Sequence, residues 1–207
     1  MNLPNRLTLA RIACIPLILL FMLPIPSDGA FFQAWNSFIV RFGMIIALFL
    51  FIVASITDYL DGRIARSQGI VTNMGKLMDP IADKLLVVSV FIALTQIGRI
   101  HAAIVVVILA REFLITGLRL LAVERGDVLA ADATGKIKTV TQMIAIILLL
   151  IQLSLQRLLP AAPVEPILRV SVSVLSCTAD VFVGLCLAAT VYSGIHYIRA
   201  GIRYFRG

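Results

Sequence analysis

Long, nearly unbroken runs of apolar residues alternate along the chain with short polar segments. Six such runs lie at roughly 6–24, 38–60, 74–97, 100–124, 135–158 and 168–198. Each is close to or longer than the ~20 residues that an α-helix needs to cross about 30 Å of hydrocarbon. Because the apolar residues are continuous and do not alternate with polar ones, transmembrane β-strands are excluded. The pattern predicts an all-α, polytopic membrane protein with six transmembrane helices.

The segments between the runs carry turn-forming and interfacial residues. Gly98-Arg99 predicts a short turn, and Pro80 suits the first turn of the third helix, where its missing N–H has no partner. Residues 25–36 are expected to form a loop or interfacial segment. An aromatic belt at the lipid headgroup level is indicated there by Phe31, Phe32, Trp35 and Phe38.

The N-terminal segment contains candidate helix caps. Asn5 or Thr8 can cap the first helix. Thr8 and Arg11 are three residues apart and therefore share one helix face. The simplest interpretation of this pair is a cap followed by a basic side chain that snorkels to the membrane surface.

Composition agrees with a membrane protein. The 207 residues are 60% hydrophobic and 14% charged, which is too apolar for an ordinary soluble domain. The three cysteines, Cys14, Cys177 and Cys186, lie inside apolar runs without metal-type spacing and are interpreted as small core residues. We expect a single domain over residues 1–207.

The charge of the chain is strongly positive, with a formal net value of +7. The basic residues are spread over several segments and form no continuous run, so nucleic acid is not an expected partner. The expected partners are the lipid bilayer, with its anionic lipids, and phosphorylated substrates. With six spans, thirteen basic residues fall on the side of both termini, against four on the other, namely Arg41, Arg99, Arg157 and Arg169. The positive-inside rule makes both termini cytoplasmic.

Four carboxylates lie within 26 residues, at Asp58, Asp61, Asp79 and Asp83. On helices, spacings of three and four place each pair on one face. A short connection would make the two helices antiparallel neighbours, so that all four groups converge. Unneutralised carboxylates would repel one another at the edge of a low-dielectric region. One or two hard divalent cations, Mg²⁺ or Mn²⁺, would resolve this repulsion.

Small residues accompany these carboxylates. Gly62 and Ala65 leave room for a flat or phosphorylated ligand close to the backbone, and Gly75 does the same on the second helix. Arg66 lies one turn beyond Gly62 and could contact a phosphate. Caps or simple ion pairs could account for one aspartate, but they do not explain four at this spacing.

Together these positions form Asp-x2-Asp-Gly-x2-Ala-Arg-x8-Gly-x3-Asp-x3-Asp, which resembles the signature of the CDP-alcohol phosphotransferase family. All eight fixed positions match, from Asp58 to Asp83. The resemblance implies six transmembrane helices, two Mg²⁺ or Mn²⁺ ions, a CDP-linked lipid donor and, typically, a homodimer. It also implies that the attack of an alcohol on the lipid-bearing phosphorus releases CMP.

The resemblance also implies roles for individual residues. Asp58, Asp61 and Asp79 would ligate metal, and Asp83 would be the general base as well as a further metal contact. The CDP-linked donor would bind at Asn5, Thr8, Asp61, Gly62, Ala65, Arg66 and Gly75.

Three further segments resemble the branch of the family that uses glycerol 3-phosphate and makes phosphatidylglycerol phosphate from CDP-diacylglycerol. They are the opening Asn-Leu-Pro-Asn-Arg-Leu-Thr, Arg111-Glu112 with Arg119, and Gly135-Lys-Ile-Lys-Thr139 followed by Gln142. The acceptor would bind at Arg111, Arg119, Lys136, Lys138 and Thr139. A basic pocket at a helix start suits a dianionic phosphate. A packing ion pair at Arg111-Glu112, and membrane anchoring by the lysines, are the alternatives.

Other functions stay open from the sequence. Within the family, inositol phosphate, serine or phosphatidylglycerol could be the acceptor. Outside it, a membrane prenyltransferase also binds pyrophosphate through Asp-rich helices, and a cation transporter also uses intramembrane carboxylates. We expect the inner membrane of a bacterium, with the active site facing the cytoplasm. Asp180 lies inside the last apolar run and could pair with an Arg or Ser across the bundle or line a polar cavity.

Overall fold

The computed structural model describes residues 3–27, 29–68, 73–124, 126, 133–159 and 166–201, with side chains for 8–27, 29–58, 78, 81–124, 126, 134–159 and 167–201. The helices are α1 (Leu3–Met22), α2 (Ala30–Phe38), α3 (Met44–Gln68), α4 (Asn73–Gln96), α5 (Ala102–Glu124), α6 (Ala133–Leu158) and α7 (Pro166–Gly201). A π-helical turn, Ile39–Gly43, joins α2 to α3. This part of the chain contains no strand, so the all-α prediction is confirmed.

The connection between α1 and α2 is shorter than predicted. Because α2 begins at Ala30, most of the segment 25–36 is helical, and the prediction of a loop is wrong there. The Asn36 side chain accepts a hydrogen bond from the Ile25 N–H (2.9 Å) and donates one to the Ile25 carbonyl (2.8 Å). This contact satisfies the backbone of the turn and lets α2 start early. Trp35 packs on Phe21 of α1, with ring centroids 5.6 Å apart.

Two predictions about helix starts are also wrong. α1 already begins at Leu3, so Asn5 and Thr8 lie inside the helix and neither caps it. α4 begins at Asn73, which makes Pro80 its eighth residue and not part of its first turn. In both cases the helix begins before the apolar run, because hydropathy indicates the buried part of a helix and not its first residue.

The predicted turn at Gly98-Arg99 is confirmed. Gly98 has a positive φ of 79°, the left-handed conformation that glycine adopts without steric cost. Its N–H donates to the carbonyl of Thr95, and the Arg99 N–H donates to that of Leu94, both at 2.9 Å. These bonds satisfy the last carbonyls of α4 and allow α5 to begin at Ala102.

The hydrophobic core forms where α1, α3, α4 and α6 meet. α1 packs against both α3 and α4, α3 packs against α6, and α7 covers α6 and α5. The core includes the buried side chains of Ile18, Met22, Met44, Phe51, Phe91, Leu94, Ile146 and Leu149. α1 is therefore an inner helix, and its polar residues face other helices.

Large apolar side chains also cover the outside of the bundle, among them Phe49, Phe113 and Ile167. Such a surface suits lipid and not water. Three described helices are long and apolar enough to cross a membrane, namely Ala30–Asp58, Thr134–Leu158 and Ile167–Gly201. α7 is the longest, with 36 residues or about 54 Å at ~1.5 Å per residue. The chain is thus a helical membrane protein.

Gly43 lies where the π-helical turn crosses α1. A Cβ at this position would lie 2.0 Å from the carbonyl oxygen of Phe21. We therefore predict that Gly43→Ala forces α1 and the turn apart and lowers the free energy of unfolding by about 1–3 kcal/mol, the usual cost of overpacking. Thermal unfolding in detergent micelles measures this. Gly184→Ala on α7 is the control, since nothing lies within 4 Å of its Cβ position. Equal melting temperatures for the two variants would contradict the close approach.

Candidate functional site

A cavity of about 600 Å³ lies between α4, α5, α6 and α7. Five basic side chains and two acidic ones line it. The basic ones are Lys84, Arg111, Arg119, Lys136 and Lys138, and the acidic ones are Asp83 and Glu112. All five residues predicted for the acceptor line this cavity, including Thr139. The structure thus brings residues of α5 and α6 together beside the predicted base.

Two residues of α7 hold the arginines of α5 in place. Both guanidinium groups lie over the ring of Tyr197, each 5.7 Å from its centroid. Arg111 Nη2 donates to Ser193 Oγ at 2.5 Å, and Arg119 Nη2 donates to the Tyr197 hydroxyl at 3.4 Å. The eight-residue spacing puts the arginines on one side of α5, and cation–π contact with one aromatic ring fixes them there.

Glu112 is the counter-charge of the basic cavity. It accepts a hydrogen bond from Arg111 Nη1 (3.0 Å) and a very short one from Lys138 Nζ. The Lys138 residue is only 6% exposed, so it does not anchor the chain at the membrane surface. A carboxylate shared by two buried cations lowers the cost of placing them in a low-dielectric bundle. The alternative of a simple Arg111-Glu112 pair is therefore incomplete, because α6 completes the cluster.

Two further lysines complete the basic lining. Lys84 Nζ donates to Thr116 Oγ1 at 2.6 Å, and the Thr116 hydroxyl in turn donates to the Glu112 carbonyl at 2.8 Å. Lys136 is exposed and reaches the cavity from the first turn of α6. Gly135 precedes it and adds no side chain, so the space beside Arg111 and Tyr197 stays open. The cavity therefore carries an excess of positive charge.

Arg11 connects α1 to the acidic stretch. Its Nη1 lies 2.6 Å from Asp58 Oδ1, and its side chain has no exposed surface. The interpretation of Arg11 as a snorkelling residue is therefore wrong. Because α1 packs between α3 and α4, the face that carries Thr8 and Arg11 is turned into the bundle, and both residues are buried.

Asp83 lies where the acidic stretch meets the basic cavity. It lines the cavity. Its carboxylate is within electrostatic range of Asp58 and Arg11 and also of Lys138 and Glu112. Asp83 is therefore electrostatically coupled both to the acidic stretch and to the charged cluster of the cavity.

Several predicted site residues have side chains outside the described set, namely Asn5, Asp61, Gly62, Ala65, Arg66, Gly75 and Asp79. The backbone confirms one premise of the spacing argument, since Asp58 and Asp61 lie in α3, and Asp79 and Asp83 lie in α4. The described side chains include no cluster of three or more metal-binding residues. Convergence of all four carboxylates stays a prediction.

The donor chemistry of this region fits a hard divalent cation. Asp58 and Asp83 carry carboxylate oxygens on two helices, the ligand type that such a cation prefers, and their charges act on one another. Asp58 keeps 35% of its side chain exposed despite its ion pair with Arg11, so it has accessible carboxylate surface. A metal site at these two residues stays a prediction.

A second charged cluster, without predicted site residues, contains Asp180. Arg99 in the α4–α5 turn donates to Asp180 Oδ1 (2.7 Å), to Gln152 Oε1 (3.0 Å) and to Ser176 Oγ (3.4 Å). This contact confirms the expectation that Asp180 pairs with an arginine across the bundle. It ties α7 and α6 to the turn between α4 and α5.

Some residues of the cavity were missed by sequence reasoning. The last 65 residues gave little signal, yet α7 supplies Tyr197 to the cavity, and Ser193, four residues earlier on the same helix face, accepts a hydrogen bond from Arg111. Lys84 follows Asp83 directly, and its place in the cavity depends on how α4 packs against α5. Gln142 belongs to a segment that resembles the family, but its position in the cavity wall depends on the packing of α6.

These features define a class, a helical membrane protein with a basic cavity inside the bundle. The model of the CDP-alcohol phosphatidyltransferase family matches residues 1–192. The chain belongs to that family, which confirms the resemblance drawn from Asp58 to Asp83.

Two bacterial relatives illustrate the match. The CDP-diacylglycerol–glycerol-3-phosphate 3-phosphatidyltransferase of Bacillus subtilis is 47% identical over 150 residues, covering 72% of this chain and 77% of its own length. A protein of the same name from Rickettsia bellii is 36% identical over 205 residues, covering 99% and 97%. The similarity thus extends through α7.

We predict that Glu112→Gln destabilises the protein by about 3 kcal/mol, because it leaves two buried cations without their shared counter-charge. Chemical or thermal unfolding in detergent measures the change. Glu124→Gln, at the exposed end of the same helix, is the matched control and should alter stability by no more than about 0.5 kcal/mol. If the two variants unfold alike, the cluster around Glu112 is not the stabilising element inferred here.

Proposed function

We propose that the chain transfers the phosphatidyl group of CDP-diacylglycerol to glycerol 3-phosphate, giving phosphatidylglycerol phosphate and CMP. The activity is that of a phosphatidylglycerophosphate synthase. The observation that carries this proposal is the basic cavity beside Asp83. Donor and acceptor are those stated in the names of the Bacillus subtilis and Rickettsia bellii relatives.

The cavity suits the acceptor by charge and by size. Arginine binds phosphate oxygens through a planar fork of donors, and lysine adds a point charge. Arg111, Arg119 and Lys136 would hold the phosphate of glycerol 3-phosphate. Thr139 adds a hydroxyl, and Lys138 takes part through its bond to Glu112. The apolar lining, which includes Val87 and Ile108, would contact the carbon atoms of the acceptor.

The donor would bind along the acidic stretch. Small residues at Gly62, Ala65 and Gly75 let the nucleotide lie close to the helices, and Arg66 would contact its phosphates. Thr8, buried on the inner face of α1, and Asn5, one turn earlier, would border the same region. Two Mg²⁺ or Mn²⁺ ions held by Asp58, Asp61, Asp79 and Asp83 would, when bound, polarise the phosphoryl oxygens and stabilise the leaving CMP.

Asp83 would act as the general base. Its carboxylate takes the proton of the terminal hydroxyl of the acceptor. The hydroxyl oxygen forms a bond to the phosphorus that carries diacylglycerol, and the bond from that phosphorus to CMP breaks. CMP leaves with the electron pair. Arg11 holds Asp58 in place on the donor side, and the Glu112 cluster holds the acceptor residues.

Family membership favours this function over the two alternatives outside the family, a prenyltransferase and a cation transporter. Inositol phosphate, serine and phosphatidylglycerol are the competing acceptors within it. Serine lacks the phosphate that the cavity is suited to bind, and phosphatidylglycerol brings two acyl chains.

We also propose six spans, formed by α1, the continuous α2–α3 helix, α4, α5, α6 and α7. The thirteen basic residues on the side of the termini support a cytoplasmic active site, and the bacterial relatives support the inner membrane. The single domain is supported by the family match over residues 1–192. The homodimer stays a prediction.

The function is tested by an acceptor assay with purified protein, CDP-diacylglycerol and Mg²⁺. We expect CMP release with glycerol 3-phosphate, and at least about 100-fold less with inositol phosphate, serine or phosphatidylglycerol, because acceptors that leave buried polar groups unpaired are strongly rejected. CMP release with another acceptor, and none with glycerol 3-phosphate, would overturn the assignment.

Asp83→Asn tests the general-base role of Asp83 in the same assay. It should lower kcat by about 100-fold or more, the usual contribution of a general base, while CDP-diacylglycerol still binds. Asp180→Asn, at the Arg99 cluster, should keep the wild-type rate per folded molecule. Near wild-type turnover in Asp83→Asn would remove the base assignment.

The topology is tested with single cysteines at His101 and Asp127 in a chain whose three native cysteines are replaced by alanine. A membrane-impermeant maleimide applied to intact cells should label position 101 from outside. Position 127 should react only after lysis. The reverse pattern would place the cavity and its acceptor site on the outer side of the membrane.

A further inference from the structure

Gln142 lies in the wall of the basic cavity with an unpaired amide nitrogen. The residue is 1% exposed, and its Nε2 has no hydrogen-bond partner among the described residues. Another buried glutamine of α6 differs in this respect. Gln152 is 2% exposed, but it accepts from Arg99 Nε (3.0 Å) and donates to Gln156 (2.8 Å).

An unpaired amide inside a protein is unfavourable. Buried polar groups nearly always have a partner, and an exception calls for a ligand, a water or a strained function. Gln142 faces a cavity that is large enough for a small polar molecule, so a ligand can supply the partner. The other glutamine, which does not line this cavity, shows that α6 can satisfy a buried amide.

The position of Gln142 indicates which ligand group it binds. It lies one helical turn beyond Lys138 and Thr139, farther from the start of α6 than the basic residues. Among the described residues that line the cavity, it is the only one with a side-chain amide. A neutral amide is a weaker phosphate ligand than the cations beside it, but it suits a hydroxyl, which both donates and accepts.

Glycerol 3-phosphate has three polar parts. On the proposed function, the basic residues bind its phosphate and Asp83 faces its terminal, attacking hydroxyl. The hydroxyl on the central carbon is the part left without a partner. We infer that Gln142 binds this central hydroxyl and so makes the enzyme select a polyol phosphate over an acceptor that lacks it. This inference rests on the proposed function.

The test compares glycerol 3-phosphate with 3-hydroxypropyl phosphate, which keeps the phosphate and the attacking hydroxyl but lacks the central one. The quantity measured is the ratio of kcat/KM for the two acceptors, which does not depend on how much of a variant is folded. The wild type should prefer glycerol 3-phosphate by about 10- to 100-fold, as expected when a buried donor loses its partner.

Gln142→Met keeps the side-chain volume but has no amide. The ratio should fall to within about threefold of unity, through loss of activity toward glycerol 3-phosphate alone. Gln152→Met is the matched control on the same helix and should retain the wild-type ratio. An unchanged ratio in Gln142→Met would overturn the inference, as would a wild type that does not distinguish the acceptors.

The outcomes separate the inference from the function on which it rests. Turnover of both acceptors with a ratio that does not respond to Gln142→Met removes only the role of Gln142. A wild type that releases no CMP with glycerol 3-phosphate overturns the proposed function, and the inference with it.

Discussion

The structure depends on one constraint, that charges inside an apolar bundle must be compensated by neighbouring charges. Glu112 compensates the charges of Arg111 and Lys138, and Arg11 compensates the charge of Asp58. Each compensation joins two helices, since Glu112 links α5 to α6 and Arg11 links α1 to α3. Removing one partner of such a pair costs more than the pair itself contributes, because a buried charge is left alone. The charged groups that would serve catalysis therefore also determine how the helices pack.

The two halves of the site are built differently. Most of the proposed donor half lies on one stretch of sequence, from Asp58 to Asp83, where helical spacing places residues on common faces, and Asn5 and Thr8 of α1 add to it. The proposed acceptor half is the basic cavity, whose lining comes from four helices, α4, α5, α6 and α7. A change of acceptor could therefore follow from substitutions in α5 to α7 without disturbing Asp58 to Asp83. This separation is consistent with one donor motif that serves several alcohols.

Sequence reasoning succeeded where local spacing decides the outcome. It predicted the helices, the turn at Gly98 and the gathering of Arg111, Arg119 and Lys138 at one place. It failed where a contact depends on which helix lies in the middle of the bundle. Arg11 looked like a surface anchor because its own helix gives no sign of being enclosed by α3 and α4. Tyr197 carried no signal for the same reason, since its importance comes from the two arginines on α5.

The length of α7 also determines how deep the site lies. Asp180, bonded to Arg99, and Tyr197, beneath Arg111 and Arg119, are 17 residues apart on this helix, or about 26 Å at ~1.5 Å per residue. That distance is close to the ~30 Å thickness of the hydrocarbon layer. On the proposed topology, the Asp180–Arg99 contact and the Tyr197–arginine contacts lie near opposite faces of the membrane. A water-soluble acceptor would then meet a membrane-bound donor at the membrane–water interface. The number of helical turns between Asp180 and Tyr197 determines how close to that interface the cavity lies.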